Sequence, residues 1–278
     1  MTARPNPEWT SVSTGDVALG ARYRAAGPRT PVLLVHGLAS NARTWDEVGA
    51  GLVAAGHPVL AVDLRGHGRS ASVPDEPGTD PTFAAAADLA GVCSWLGWSR
   101  PLVAGHSWGG NIALQLAADR PDLVAGLVLV DGGWLHLGDR FADIDAAWRL
   151  FAPPDLTGWS LASVREVLAD AHPDWSDAAL EAGLANLEHR PDGTIRPWLT
   201  PERHRARVAS LLAHRPRELY GRIACPTVLL AAGDPPEAGA GEAAASIPGA
   251  MLSVFPGGDH DLQLQYPARV AAAISALG

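Results

Sequence analysis

The stretch with the clearest chemical content is Gly105-His106-Ser107-Trp108-Gly109. An apolar run, Leu102-Val103-Ala104, leads into it, and a helical pattern from Asn111 to Arg120, stopped by Pro121, leads out. A serine placed between strand and helix sits in a sharp, strained turn. Glycines two residues before and two after it remove the Cβ atoms that would collide as the chain doubles back. The helix start adds partial positive charge and free N–H groups near the serine oxygen, where an oxyanion would form. A serine hydroxyl is a poor nucleophile at neutral pH, so this chemistry requires a base, and the base requires a group to orient it.

The elements that must position such a serine can be read along the 278 residues. Residues 10–26 alternate loosely around the turn signal Thr14-Gly15-Asp16 and predict a β-hairpin at a sheet edge. The continuous apolar runs Pro31–His36, Val59–Asp63, Leu102–Ala104, Val124–Val130, Thr227–Ala232 and Met251–Phe255 predict strands, the continuous ones covered on both faces. Helical patterns fall between them at about 44–55, 82–96, 111–120 and 267–276. Strands alternating with helices imply an α/β fold with a mostly parallel sheet. Between Trp134 and about Arg222 the apolar strands stop and helical patterns with Pro-Pro and Asp-Gly breaks take over. Five of the ten tryptophans (Trp134, Trp148, Trp159, Trp175 and Trp198) lie there. The reading is a core domain of residues 1–133 and 223–278 interrupted by a helical cap, 134–222.

Composition narrows the function. A chain of this length, 47% hydrophobic, can bury a large core, and its net charge of −9 argues against nucleic acid or an anionic membrane as partner. No apolar stretch reaches the ~18 residues of a membrane span, and the N-terminus, broken by Pro5-Asn6-Pro7, predicts no signal peptide. A cytoplasmic protein of open oligomeric state follows. Cys93 and Cys225 read as two small buried residues rather than a disulfide framework. Zinc-type ligand spacing, a phosphate loop and a dinucleotide fingerprint are all missing, so neither metal nor cofactor is expected.

Four motifs in order, His36-Gly37, Asp63-Leu64-Arg65-Gly66-His67-Gly68-Arg69-Ser70, the turn around Ser107, and Gly257-Gly258-Asp259-His260, resemble the α/β-hydrolase family over about 31–133 and 223–278. The resemblance implies an α/β-hydrolase fold with an inserted cap and makes Ser107 the nucleophile and His260 its base. It implies an oxyanion hole from the backbone N–H groups of Leu38 and Trp108. His36 would support the oxyanion loop, His67 would be structural, and His106 would point away from Ser107. The family order is serine, acid, histidine, and two acids satisfy it. Most relatives carry the acid three residues after a glycine in the loop following the Thr227–Ala232 strand. Here that slot holds Pro236, so Asp234 or Glu237 would need a shifted loop. Asp131 instead follows the strand next to that of Ser107, an arrangement some lipases and lactone hydrolases share. Asp131 is favoured and Asp234 is the alternative.

Epoxide hydrolases and haloalkane dehalogenases place an aspartate where this chain has Ser107, and are set aside. The reading is a cofactor-free serine hydrolase acting on an ester or lactone of a small hydrophobic molecule. Leu38, Trp108 and some of the cap tryptophans would line an apolar, partly aromatic site. The alternatives are a carbon–carbon bond hydrolase on the same residues, and a non-catalytic small-ligand binder that keeps the fold.

Overall fold

In the computed structural model, residues 8–236 and 239–278 are described, together with the backbone of residue 238 but not its side chain. The N-terminal segment read for a signal peptide therefore lies largely outside the described residues, as does Glu237.

Eight strands form one sheet in the order β1-β2-β4-β3-β5-β6-β9-β10. The edge hairpin is β1 (Glu8–Ser13) and β2 (Ala18–Arg24), antiparallel around the expected turn. Next come β4 (Val59–Val62), β3 (Val32–Val35), β5 (Leu102–His106), β6 (Gly126–Val130), β9 (Thr227–Ala232) and β10 (Met251–Phe255). β2 meets β4 antiparallel, and every later pairing is parallel.

Period-two alternation divides these strands between two cores. Leu33, Val35, Val103, Leu127, Leu129 and Leu229 face one way, against α2 (Pro81–Leu96), α3 (Trp108–Asp119) and α8 (Ala238–Ser246). Val32, Leu34, Leu102, Ala104, Val128 and Leu230 face the other, against α1 (Asp46–Ala54) and α10 (Pro267–Ser275). Both faces are dry, which is why the central strands read as unbroken apolar runs. α2 starts on an Asp80 side-chain cap with Pro81 in its first turn and ends on left-handed Gly97, as its sequence punctuation requires.

The segment between β6 and β9 carries α4 (Ile144–Phe151), α5 (Leu161–Ala171), α6 (Asp177–Leu184) and α7 (Pro201–Ala213). It is not wholly helical. β7 (Leu187–His189) and β8 (Ile195–Pro197) form a small antiparallel hairpin whose turn contains Asp192-Gly193, so the residues that read as a helix break instead join two strands. α9 (Leu262–Gln265) follows the His260 loop.

Candidate active site

The helix after Ser107 begins three residues earlier than its pattern suggests, at Trp108. Ser107 is therefore the residue immediately before the helix, at φ 53° and ψ −124°. A non-glycine residue in this region is strained and persists only where its surroundings over-determine it. The neighbours do so with backbone. A methyl at Gly105 would overlap the Gly109 carbonyl oxygen, and one at Gly132 would overlap that of Ser107. Asp131 (φ 41°) and Ala39 (φ 53°) complete the set of non-glycine residues at positive φ among those described. All three lie at the carboxyl ends of adjacent strands.

His260 bridges this constellation. Its Nδ1–H donates to Asp131 Oδ2 at 2.6 Å, and its Nε2 faces the Ser107 hydroxyl at 2.9 Å. The ionised carboxylate can only accept, which fixes the proton on Nδ1 and leaves Nε2 free to take the serine proton. The other Asp131 oxygen accepts the Ala232 N–H at 2.9 Å, and the Asp131 N–H donates to the Leu230 carbonyl at 2.7 Å. Asp234 is exposed in the turn after β9, so of the two acids it is Asp131 that the structure brings to His260.

The supporting residues divide into those read from sequence and those missed. His36 donates from Nδ1 to the Gly37 carbonyl at 2.7 Å and accepts the Leu64 N–H on Nε2 at 3.0 Å, so it braces the loop that carries Leu38. Burial pushes its pKa down to about 4, keeping it neutral. His67 packs beside His36 and Trp108 and donates to the Arg65 carbonyl at 3.0 Å. Asp63 orders the same region by accepting the Ala42 and Arg69 N–H groups, both at 2.7 Å. Burial raises its pKa to about 6.

His106 faces His260, a partner that its sequence does not announce. Its Nε2–H donates to the His260 carbonyl at 2.9 Å, and the two rings lie 4.8 Å apart. Burial, then the nearby His260, lowers its pKa to about 4. Asn111, also missed, takes the Gly133 and Leu135 N–H groups on its side-chain oxygen at 3.0 and 3.3 Å. It donates to the Leu135 carbonyl at 2.7 Å, tying down the exit from Asp131.

A chamber of about 940 Å³ contains Ser107 and His260, with Leu38, Trp134 and Phe151 on its apolar walls and the Asp139–Arg217–Glu242 ion pairs on a polar one. Trp108 does not line it. Its indole is buried in the core, donating to Thr82 Oγ1 at 2.9 Å, because the early helix start turns the side chain inward. Of the five insertion tryptophans, Trp134 reaches this chamber and Trp198 lines a neighbouring cavity. Trp148 and Trp159 line a separate surface groove, and Trp175 stacks on His172. The wall around Ser107 is thus less aromatic than the sequence suggests.

The chain is similar to known proteins along most of its length. A sequence model described as "Alpha/beta hydrolase family" matches residues 32–273. A putative carbamate hydrolase from Caulobacter is 30% identical over 256 residues, covering 90% of each chain. An esterase from Mycobacterium tuberculosis is 43% identical over 127 residues, 46% of this chain and 40% of that one. The chain spans less than half the length of the first curated relatives that it matches, at 36% and 40%. Among solved structures, an E-2-(acetamidomethylene)succinate hydrolase superposes with a TM-score of 0.75 at 24% identity, covering 98% of both chains, which is a likeness of fold.

Proposed function

The chain belongs to the alpha/beta hydrolase family, and from that premise we propose that it is a cofactor-free serine hydrolase cleaving an ester or lactone of a small hydrophobic molecule. The observation that carries this reading is the unbroken path from Ser107 Oγ through His260 to Asp131, at 2.9 and 2.6 Å.

Ser107 attacks the acyl carbon while His260 Nε2 removes the hydroxyl proton. Asp131 holds the ring in its working tautomer and stabilises the imidazolium. The negative charge that develops on the acyl oxygen is taken by the N–H groups of Leu38 and Trp108. Trp108 is the first helical residue, so its N–H has no acceptor within the helix. As the carbon–oxygen bond breaks, the imidazolium gives its proton to the leaving alkoxide. Water then attacks the acyl-serine, losing a proton to His260, and Ser107 is released as the hydroxyl. In this reading residues 134–222 are a cap that closes the chamber over Ser107.

A second reading is favoured by the Caulobacter relative, which covers nine-tenths of both chains: the same residues would attack a carbamate carbonyl. A complete serine, histidine and acid set weighs against the non-catalytic binder.

The test is labelling with a fluorophosphonate and turnover of short p-nitrophenyl esters, lactones and carbamates. Modification at Ser107, abolished in Ser107→Ala, together with turnover of one class is expected. A wild-type protein that neither labels nor turns over any member of the panel is a binder, and the enzyme reading fails.

A further inference from the structure

Behind the oxyanion loop lies a second cavity, of about 210 Å³, that contains neither Ser107 nor His260. Its insertion side is apolar, built from Pro153, Leu156, Val164, Leu168, Leu187 and Trp198. Its floor is Ala39, Ser40 and His67 of the core. Ala39 and His204 line both this cavity and the chamber around Ser107, so the two compartments share one wall. Among the described residues, no Asp, Glu, Lys or Arg lines the smaller one. His204 is neutral in that wall, its pKa lowered to about 4 by burial, with Arg207 adding to the effect, and its ring sits edge-on to Trp148.

The chemistry assigns the two compartments to opposite sides of the scissile bond. One imidazole must protonate the leaving group and later deprotonate the attacking water. Both therefore occupy the space that His260 faces, which is the larger chamber with its polar ion-pair wall. The remaining substituent of the acyl carbon points away from the space that His260 faces, and Ala39 and His204, which line both compartments, mark where the small cavity adjoins the chamber.

Resting on the serine-hydrolase reading, we propose that the cavity is an acyl-chain subsite and that the substrate carries an unbranched apolar acyl group. The volume of about 210 Å³ holds about seven groups of the ~30 Å³ that a water-sized unit occupies; with the carbonyl carbon at Ser107, outside the cavity, the preferred acyl chain has at least about eight carbons.

The experiment is a series of p-nitrophenyl esters from acetate to dodecanoate, with alkyl acetates as the alcohol-side control. Wild-type kcat/KM is expected to rise about fourfold per methylene, the worth of burying one CH₂, until at least about the octanoate, and variants that fill the cavity should leave the alkyl acetates within about twofold of wild type. Val164→Phe and Leu168→Trp, which fill the cavity far from the chemistry, should cut octanoate hydrolysis at least tenfold and leave acetate within about twofold. Leu168→Ala should move the optimum to longer chains. Filling variants that keep the wild-type profile overturn the proposal, as does equal loss at every length with an unmoved optimum in Leu168→Ala, or a response confined to the alcohol side. Calorimetry of octanoate against acetate on Ser107→Ala separates the layers of inference. Hydrolysis that ignores acyl length sinks only the subsite. Octanoate preference abolished by Leu168→Trp, in a protein whose wild type labels with no fluorophosphonate, keeps the subsite and sinks the hydrolase.

Discussion

The turn region of β5 and β6 and the outer part of the insertion are built by different physics. Around Ser107 and Asp131 backbone lies against backbone, Gly105 on Gly109 and Gly132 on Ser107, with strained torsions at both Ser107 and Asp131. In the insertion, α4 and α5 bury a single side chain between them, Ala147. Several of the ion pairs within the insertion are exposed: Arg165 of α5 with Asp177 of α6, Arg205 of α7 with Asp145 of α4, and Arg217 with Asp139. Strain has to be enforced by surroundings that cannot move. Exposed ion pairs enforce little, because water and salt compete for each partner. The contrast teaches that Ser107 and Asp131 are fixed by the fold, whereas the walls that the insertion supplies are free to vary.

Substitutions at the reacting groups should have the largest effects. Ser107→Ala is expected to lower kcat by roughly 10⁵-fold or more, and Asp131→Asn by on the order of 10⁴-fold, with far-ultraviolet dichroism unchanged. Asp234→Asn should stay within about threefold of wild type. Steady-state kinetics on any turned-over ester checks all three, and an Asp234 effect as large as that of Asp131 would remove the serine-side assignment. Next in size is His106→Phe, which loses the donor to the His260 carbonyl. About a tenfold loss in kcat with KM little changed is expected, restored in part by His106→Gln. A simple packing role would give no such rescue.

The same contrast explains what could be read from the sequence. The serine turn was legible because its glycines are required by approaches that no side chain survives. Asp131 could be favoured because it follows the strand neighbouring that of Ser107, and because Pro236 fills the competing slot. The role of His106 was not legible, since its partner lies 154 positions away and no local pattern links them. The indole of Trp108 was misplaced because the helix starts at Trp108 itself and turns that side chain into the core. In the insertion, Asp192-Gly193 was a hairpin signal that its two three-residue strands were too short to support. Which of the insertion tryptophans reach the chamber could not be read, for lack of any backbone constraint; Trp134 does.

Acid should expose the core's dependence on neutral histidines. His36, His106, His204 and His214 are all held at about 4 by burial, against an ordinary 6.5. Between these values the unfolded chain binds protons that the folded one refuses, so stability is complete above about pH 6.5 and falls as the pH drops towards 4. Asp63 acts oppositely: with its folded pKa raised to about 6, it favours the folded state as the pH falls from 6 to 3.8. Four groups outweigh one. The unfolding free energy from urea titration should therefore drop across this window, by at least the ~3 kcal/mol that one such histidine supplies. A flat profile would mean that these rings accept protons in place, and that the region around Ser107 is less rigid than its packing implies.

The smallest effect belongs to the insertion, and its size is the point. Arg217 pairs with Asp139 before α4 and with Glu242 on α8, joining insertion to core across the wall of the Ser107 chamber. By position it looks like a clasp, yet all three side chains are about half exposed. Exposed pairs of this kind lose to solvent most of what they gain from each other, and more so as salt rises. Arg217→Ala is accordingly expected to move the melting temperature by less than roughly 2 °C and to leave acetate-ester kcat unchanged. It should alter KM only for substrates whose leaving group reaches that wall. A melting shift several times larger, or one insensitive to added salt, would mean that the insertion is locked to the core as firmly as Ser107 is locked to its strand. The division between a rigid chemical end and a variable selecting end would then be wrong.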